Sequence, residues 1–282
     1  MWFSDSWIPS RYALYGFCII FFGYVAQTSF LQYWFYYKRG REASQWKIQD
    51  SSGGNKSILR GRLGEFYGLP LVSNKPNRAP LHRVLTTVNL FVASCAAAFA
   101  FDSCAFGRTK MQFHALNSRM EIAVVIGQFL FAVIYESVVE YYWHRLMHWP
   151  FFYKHMHKFH HSYKSPEPWD DMYIHPLEAF GYYCILYGPP FLFPIHSYAF
   201  VGYMIVMGLC GVFDHSGIKI ECPGIYNTVD HDNHHLKFEV NYSFPFPFMD
   251  VLHGTYEGTL WGKSFTVRNR VSLVKANGIA ID

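Results

Sequence analysis

The histidines of this chain are spaced as metal ligands. Six of fifteen fall within residues 144–161, HRLMHWPFFYKHMHKFHH, and HDNHH follows at 231–235. The spacings are H-x3-H (His144, His148), H-x2-H-H (His157, His160, His161) and H-x2-H-H again (His231, His234, His235). On a helix, positions i, i+3 and i+4 share a face with Cβ atoms ~5–6 Å apart. Each cluster is therefore expected to aim two or three imidazoles at one point. A structural zinc takes four ligands and a catalytic one three plus water, so eight clustered imidazoles imply two ions. His215 and His175 are the natural residues to complete the set.

Imidazole suits Zn, Cu, Fe or Ni, so ligand type alone does not choose the metal. The zincin peptidase motif needs a glutamate directly after its first histidine as general base. Arg145 stands there, which argues against peptide hydrolysis. Two redox-active ions held by neutral nitrogens at a membrane surface fit dioxygen activation, with iron taking hydrogen from an unactivated C–H bond of a lipid. His82, His114, His155, His196 and His253 read singly as surface or capping residues.

The elements that must position these ligands are membrane spans. The chain has 282 residues, 51% hydrophobic and 16% charged. Residues 12–37, 84–101 and 122–135 carry no charge, and 179–213 carries only His196. About 20 apolar residues cross a bilayer core as a helix, so the first three stretches seed spans over 12–37, 84–106 and 122–143. The N-terminus lacks the positive region and cleavage site of a secretory signal, so the first span is expected to be retained. Residues 38–83 hold ten Lys or Arg against three acids, which places that loop, and the histidines after two more crossings, in the cytosol. Residues 50–55 read as a turn-rich segment, and 107–120 as the loop on the far side.

Both histidine concentrations can serve one site only if residues 179–213 cross an even number of times. Thirty-five residues interrupted by Pro189, Pro190 and Pro194 predict a tight hairpin, either two short spans or a deep re-entrant pair. Glu136, Glu140, His144 and His148 advance four at a time and form one stripe. Ionisable groups inside a span face the bundle interior and are functional candidates, which selects Glu136 and Glu140. Glu136, Glu140, Asp170, Glu178, Asp214 and Asp230 are candidates to orient imidazoles by accepting their free N–H. The six cysteines include no C-x-x-C pair and imply no disulfide framework. Residues 241–250 read as an interfacial loop.

HRLMH (144–148), HKFHH (157–161) and HDNHH (231–235), with DHSG (214–217) and HPLE (175–178), resemble the fatty acid hydroxylase and sterol desaturase superfamily of membrane di-iron oxygenases. WKIQ (46–49), HHLKF (234–238) and DVLHGT (250–255) are similar to its C4-methylsterol oxidase branch, and the resemblance covers roughly residues 40–260. It implies an all-α polytopic membrane protein of about four transmembrane helices, two of them a short Pro-interrupted hairpin, under a cytosolic His-rich cap in the endoplasmic reticulum. The implied divisions are an N-terminal span (1–40), a basic cytosolic loop (41–83) and an oxygenase domain (84–282) with its core at 122–260. By motif, the metal ligands are His144, His148, His157, His160, His161, His215, His231, His234 and His235. Acyl-chain hydroxylases often carry a further histidine four residues before the one matching His215. Gly211 stands there, which favours the sterol branch and makes His175 the tenth ligand. Glu136, Glu140 and Asp214 are the catalytic carboxylates expected.

The resemblance further implies two Fe ions, O2, and electrons from cytochrome b5 or its reductase with NAD(P)H. The expected activity is O2-dependent sterol hydroxylation of the C4-methylsterol oxidase kind. Sterol C5-desaturation, acyl or sphingolipid hydroxylation, and a non-catalytic metal-binding membrane protein are the alternatives. Partners are a membrane lipid, the bilayer and the electron donor, with no nucleic acid. The segment 51–80, containing GRLGEFYG, has no counterpart in the methylsterol oxidases.

Overall fold

The structure is a computed structural model and describes residues 10–49 and 79–267. The turn-rich stretch at 50–55, most of the segment 51–80 and most of the tail after residue 263 lie outside the described residues.

Four helices are long and apolar enough to cross a membrane: Arg11–Lys38, Pro80–Ala105, Arg119–Met147 and Ser197–Asp214. The first is α1 (Arg11–Leu31), which continues as a π-helical stretch over Gln32–Lys38. Its start is set by Ser10, whose Oγ accepts from the Ala13 N–H at 3.2 Å, the usual device for an orphan donor at a helix start. It packs along α2 (Ala79–Ala105). Gly16 permits the approach, since a Cβ there would lie 2.7 Å from the Ala97 carbonyl oxygen. α3 (Arg119–Met147) opens with a capping box of Ser118 and Glu121 and ends in the first histidine cluster.

The hairpin is asymmetric. Its first arm, α4 (Pro176–Leu186), has 11 residues, whereas the second, α5 (Ser197–Asp214), has 18 and is itself long enough to span. α4 stops because Pro189 and Pro190 follow, and proline supplies no N–H to continue a helix. The extended tip β2 (Ile195–His196) pairs in parallel with β1 (Met111–Gln112), in the loop between α2 and α3. His196 Nε2 meets the His114 carbonyl at 2.9 Å, and the Lys110 N–H donates to Pro190 O at 2.7 Å. That loop joins the ends of α2 and α3 opposite the histidines. α4 and α5 therefore carry the chain away from the histidine end and bring it back.

A cap closes the histidine end. It holds α6 (Thr228–Lys237), started by Asn227, and α7 (Phe248–His253). The segment 46–49 lies antiparallel to residues 217–219, with Ile48 N–H donating to Gly217 O at 3.0 Å and Lys219 N–H to Trp46 O at 2.7 Å. Gly217 has φ +66°, and a Cβ there would meet the Pro166 carbonyl at 2.6 Å, so glycine suits both the left-handed backbone and the contact. The buried core between the spans contains Ala97, Ala132, Ala179, Ile195 and Tyr203. Ile126, Phe131, Phe22 and Val88 face outward, as residues in contact with acyl chains do.

Candidate metal centre

Nine imidazoles converge in two groups, and each H-x2-H-H motif is divided between them. His144, His148, His157, His161 and His234 form one group; His160, His215, His231 and His235 form the other. In each group the potential ligand atoms lie within 4.8 Å of one another. In the first, Nε2 of His148 stands 3.0 Å from that of His157 and 3.2 Å from those of His161 and His234. In the second, Nε2 of His215 stands 3.1 Å from His160 and 2.9 Å from His231.

The division corrects the expectation that a whole cluster points to one spot. His157 and His161 turn to the first group and His160 to the second, whereas His231 and His235 turn to the second and His234 to the first. On α6, residues i and i+4 differ by ~40° around a helix of 3.6 residues per turn, while i+3 falls ~60° to the other side. Residues 157–161, which run from a π-helical turn (Tyr153–His157) into a 3-10 turn (His160–Ser162), reach the same division. The i,i+4 pair therefore stays together and the i+3 residue serves the neighbouring position.

The arrangement fits metal ions. Buried imidazole nitrogens facing one another at such distances lack enough protons and lone pairs to satisfy the set, and a shared cation supplies the missing partner. His144 Nε2 is buried with no hydrogen-bond partner among the described residues. Five of the nine rings turn Nδ1 outward to acceptors, as rings at metal sites do, whereas Nδ1 of His160, His161 and His231 is buried with no partner among the described residues. His144 Nδ1 meets Tyr242 O at 2.8 Å, His234 Nδ1 Val240 O at 2.6 Å, His235 Nδ1 Tyr163 O at 3.1 Å and His215 Nδ1 Gly211 O at 2.9 Å. His157 Nδ1 meets Glu178 Oε1 at 2.5 Å, and His215 Nδ1 lies 3.2 Å from Asp171 Oδ1.

Two of these carbonyls hang on a constrained loop. Phe238 has φ 68° and Asn241 φ 55°, left-handed values that cost a non-glycine residue ~1–3 kcal/mol. Asn241 is held by Asp230 O at 3.0 Å, Glu257 O at 2.9 Å and the Glu257 N–H at 2.7 Å. Asp250 accepts from the Tyr242 and Ser243 N–H groups at 2.9 and 2.7 Å. The residues 241–250, expected as an interfacial loop, thus fix the acceptors behind His144 and His234.

Burial holds His148, His157, His160, His161, His231, His234 and His235 well below the ordinary imidazole pKa, and neighbouring imidazoles add to the effect. His215 moves the other way: burial opposes its charge, but the Asp171 carboxylate and the Gly211 carbonyl raise it. The seven lowered groups are neutral in the fold at pH 7 and ready to bind a cation. Below pH ~6.5 the unfolded chain takes up protons that the metal-free fold refuses. The stability of the metal-free protein should therefore be retained above pH ~6.5 and fall with a steady slope below it. His215 subtracts slightly from that slope. Denaturant unfolding of metal-free protein in detergent between pH 8 and 5 measures it.

Other expected residues lie elsewhere. His175 joins neither group, because Pro176 starts α4 and His175 Nδ1 caps it, accepting from the Leu177 N–H at 3.3 Å. Asp214 accepts from the Tyr226 hydroxyl at 2.6 Å, and Asp230 from the Tyr256 hydroxyl at 3.1 Å. Glu136 accepts from the Tyr203 hydroxyl at 2.5 Å and, with Glu140, lines an apolar cavity of about 530 Å³ that also touches His144, His160, His215 and His231. His82, expected at the surface, is fully buried and meets Asp170 Oδ1 at 2.9 Å. Asp171 was visible in the sequence only as the second acid of Trp169-Asp170-Asp171, and the backbone acceptors had no sequence signal.

A family model described as fatty acid hydroxylase matches residues 129–255. The very-long-chain aldehyde decarbonylase GL1-11 of Oryza sativa subsp. indica is 30% identical over 224 residues, covering 72% of this chain and 79% of the relative. The Delta(7)-sterol 5(6)-desaturase ERG3A of Gibberella zeae is 32% identical over 130 residues, 46% of this chain and 37% of the relative. The lathosterol oxidase of Homo sapiens is 30% identical over 159 residues, 55% of this chain and 51% of the relative. The chain thus spans about half or less of the length of these two sterol relatives. No solved structure matches the chain.

Proposed function

The chain belongs to the fatty acid hydroxylase and sterol desaturase superfamily, and on that premise we propose that it is an iron-dependent, O2-consuming lipid oxidase of a membrane, acting on a sterol-type substrate. The observation that carries this reading is the pair of buried imidazole groups at the head of an apolar cavity between membrane-spanning helices. His144, His148, His157, His161 and His234 would hold one iron, and His160, His215, His231 and His235 the other. Bound there, the irons supply dioxygen activation. The protein's own part is to present neutral Nε2 atoms, fix five of the rings through their Nδ1 partners, and keep the target C–H in a cavity walled by apolar side chains. Water is poorly tolerated there, which protects an oxidising site from unproductive turnover.

The oxygenase domain is residues 84–282 with its core at 122–260, inside which the matched residues 129–255 fall, and α1 adds a wall of the cavity. Electrons come from cytochrome b5 or its reductase with NAD(P)H, at the cytosolic face of the endoplasmic reticulum. The short segments 46–49, 234–238 and 250–255 point to oxidation at a C4 methyl group. The relatives above are named for sterol desaturation, lathosterol oxidation and aldehyde decarbonylation, so C4 specificity rests on those segments alone. Glu136 and Glu140 act in the cavity as the polar residues beside the target carbon, and Asp214 supports the second iron position from the end of α5.

Metal analysis after anaerobic purification, with O2 uptake measured on adding membrane lipid together with NAD(P)H, cytochrome b5 and its reductase, tests the reading. Two irons per chain and lipid-dependent O2 uptake are expected; zinc, or iron without lipid-dependent uptake, would overturn it. Lipid profiles of cells with and without the gene should then show an accumulated sterol precursor.

A further inference from the structure

Six residues line the cavity and are also exposed on the protein surface: Ile19 and Gly23 of α1, and Val201, Ile205, Gly208 and Leu209 of α5. Among the described lining residues the exposed ones all lie on these two helices, so the cavity opens between them. Ile19, Val201 and Ile205 are each more than half exposed. Both helices are membrane-spanning candidates, so the medium outside the opening is the bilayer interior. α1 and α5 touch little, and Gln27 Nε2 donates to Leu209 O at 3.4 Å, toward the histidine end.

Both helices present a glycine to this opening. A Cβ added at Gly23 or at Gly208 would have nothing within 4 Å, unlike Gly16, where α1 and α2 are in contact. These two glycines therefore do not serve helix packing. They cost each helix ~1 kcal/mol relative to alanine and leave width at the mouth. A saturated chain needs a slot only one methylene wide, whereas a fused-ring lipid needs a broad one. The cavity behind the mouth, about 530 Å³, lies within the range of sites that enclose a ligand of that size.

We infer that the gap between α1 and α5 is the lateral entry for a rigid, fused-ring bilayer lipid, and that Gly23 and Gly208 are the specificity-determining positions that keep it wide. The inference rests on the lipid-oxidase reading for what happens inside, but its test does not. A photoreactive sterol and a photoreactive straight-chain alcohol would be presented to the full-length protein in nanodiscs, and labelled peptides around Met204 and Met207 quantified. Gly23→Trp and Gly208→Trp should each lower sterol labelling by about tenfold and chain-alcohol labelling much less. Val124→Trp, on the outward face of α3, should leave both unchanged.

Gly208→Leu, a smaller filler, should give an intermediate loss and decides the matter if the tryptophan variants do not retain their metal. Sterol labelling at the wild-type level in the filled variants, an equal fall for both probes, or no labelling of the wild-type cavity would overturn the inference. Labelling needs neither O2 nor turnover. A glycine-dependent label on a protein that oxidises nothing would sink the oxidase reading and leave the entry route standing.

Discussion

Replacing His160 or His161 by alanine should reduce O2-dependent lipid oxidation to below about one-hundredth of wild type. The bound is set by the weaker case, since losing a group that merely orients a ligand typically costs 10–100-fold, and here a ligand itself is removed. The two residues are adjacent yet face different groups, His160 toward His215, His231 and His235, and His161 toward His148, His157 and His234. The variants should therefore give different metal spectra, each perturbed at its own iron, as well as a shared loss of turnover. Iron analysis and Mössbauer spectra of the two purified variants check this. Identical spectra would mean that the motif serves one ion, and retained oxidation in either variant would sink the di-iron assignment.

Glu178→Ala should have the next largest effect. The Glu178 and His157 side chains are fully buried and meet at 2.5 Å. Removing the carboxyl group strands the Nδ1–H of His157 in a buried position, and leaving such a donor unsatisfied costs ~1–3 kcal/mol. Affinity at the first metal position should fall by ~10–100-fold. Glu178→Gln keeps an acceptor oxygen without the charge and should lose less of both. Metal titration and thermal unfolding of the two variants separate these contributions. Equal losses in Gln and Ala would show that charge, rather than the hydrogen bond, is what His157 requires.

The histidines that gather into the two groups were legible because their spacing is local. H-x3-H and H-x2-H-H are helix-face patterns, and a single turn of backbone places them whatever the tertiary fold. Apolar stretches marked the three long spans and the prolines marked the break in the hairpin for the same reason. What could not be read depended on long-range contact. The i+3 members, His160 and His234, diverge from their own pairs by local geometry, but they have a second group to join only because another motif stands opposite. Val240, Tyr242, Tyr163 and Gly211 act through carbonyls, which every residue type carries. His175 sits in a polar stretch close to the site, but the proline after it made it a helix cap. His82 looked like a surface residue because nothing in its neighbourhood announces that Asp170 will meet it.

The length of α3 has a consequence for which carbon can be attacked. Its 29 residues make a rod of ~43 Å at 1.5 Å per residue, against a hydrocarbon layer of ~30 Å. With the charge-free stretch starting at Ile122, that layer ends close to Tyr142, and His144 and His148 stand just above it. The irons would thus be held at headgroup depth, with the cavity hanging beneath them among the acyl chains. A lipid that slides in sideways keeps its own depth, because lifting its tail to the headgroups or sinking its polar end into hydrocarbon is costly. The helix therefore works as a depth gauge. It would bring irons bound there level with the carbons nearest a lipid's polar end and leave those of its tail out of reach.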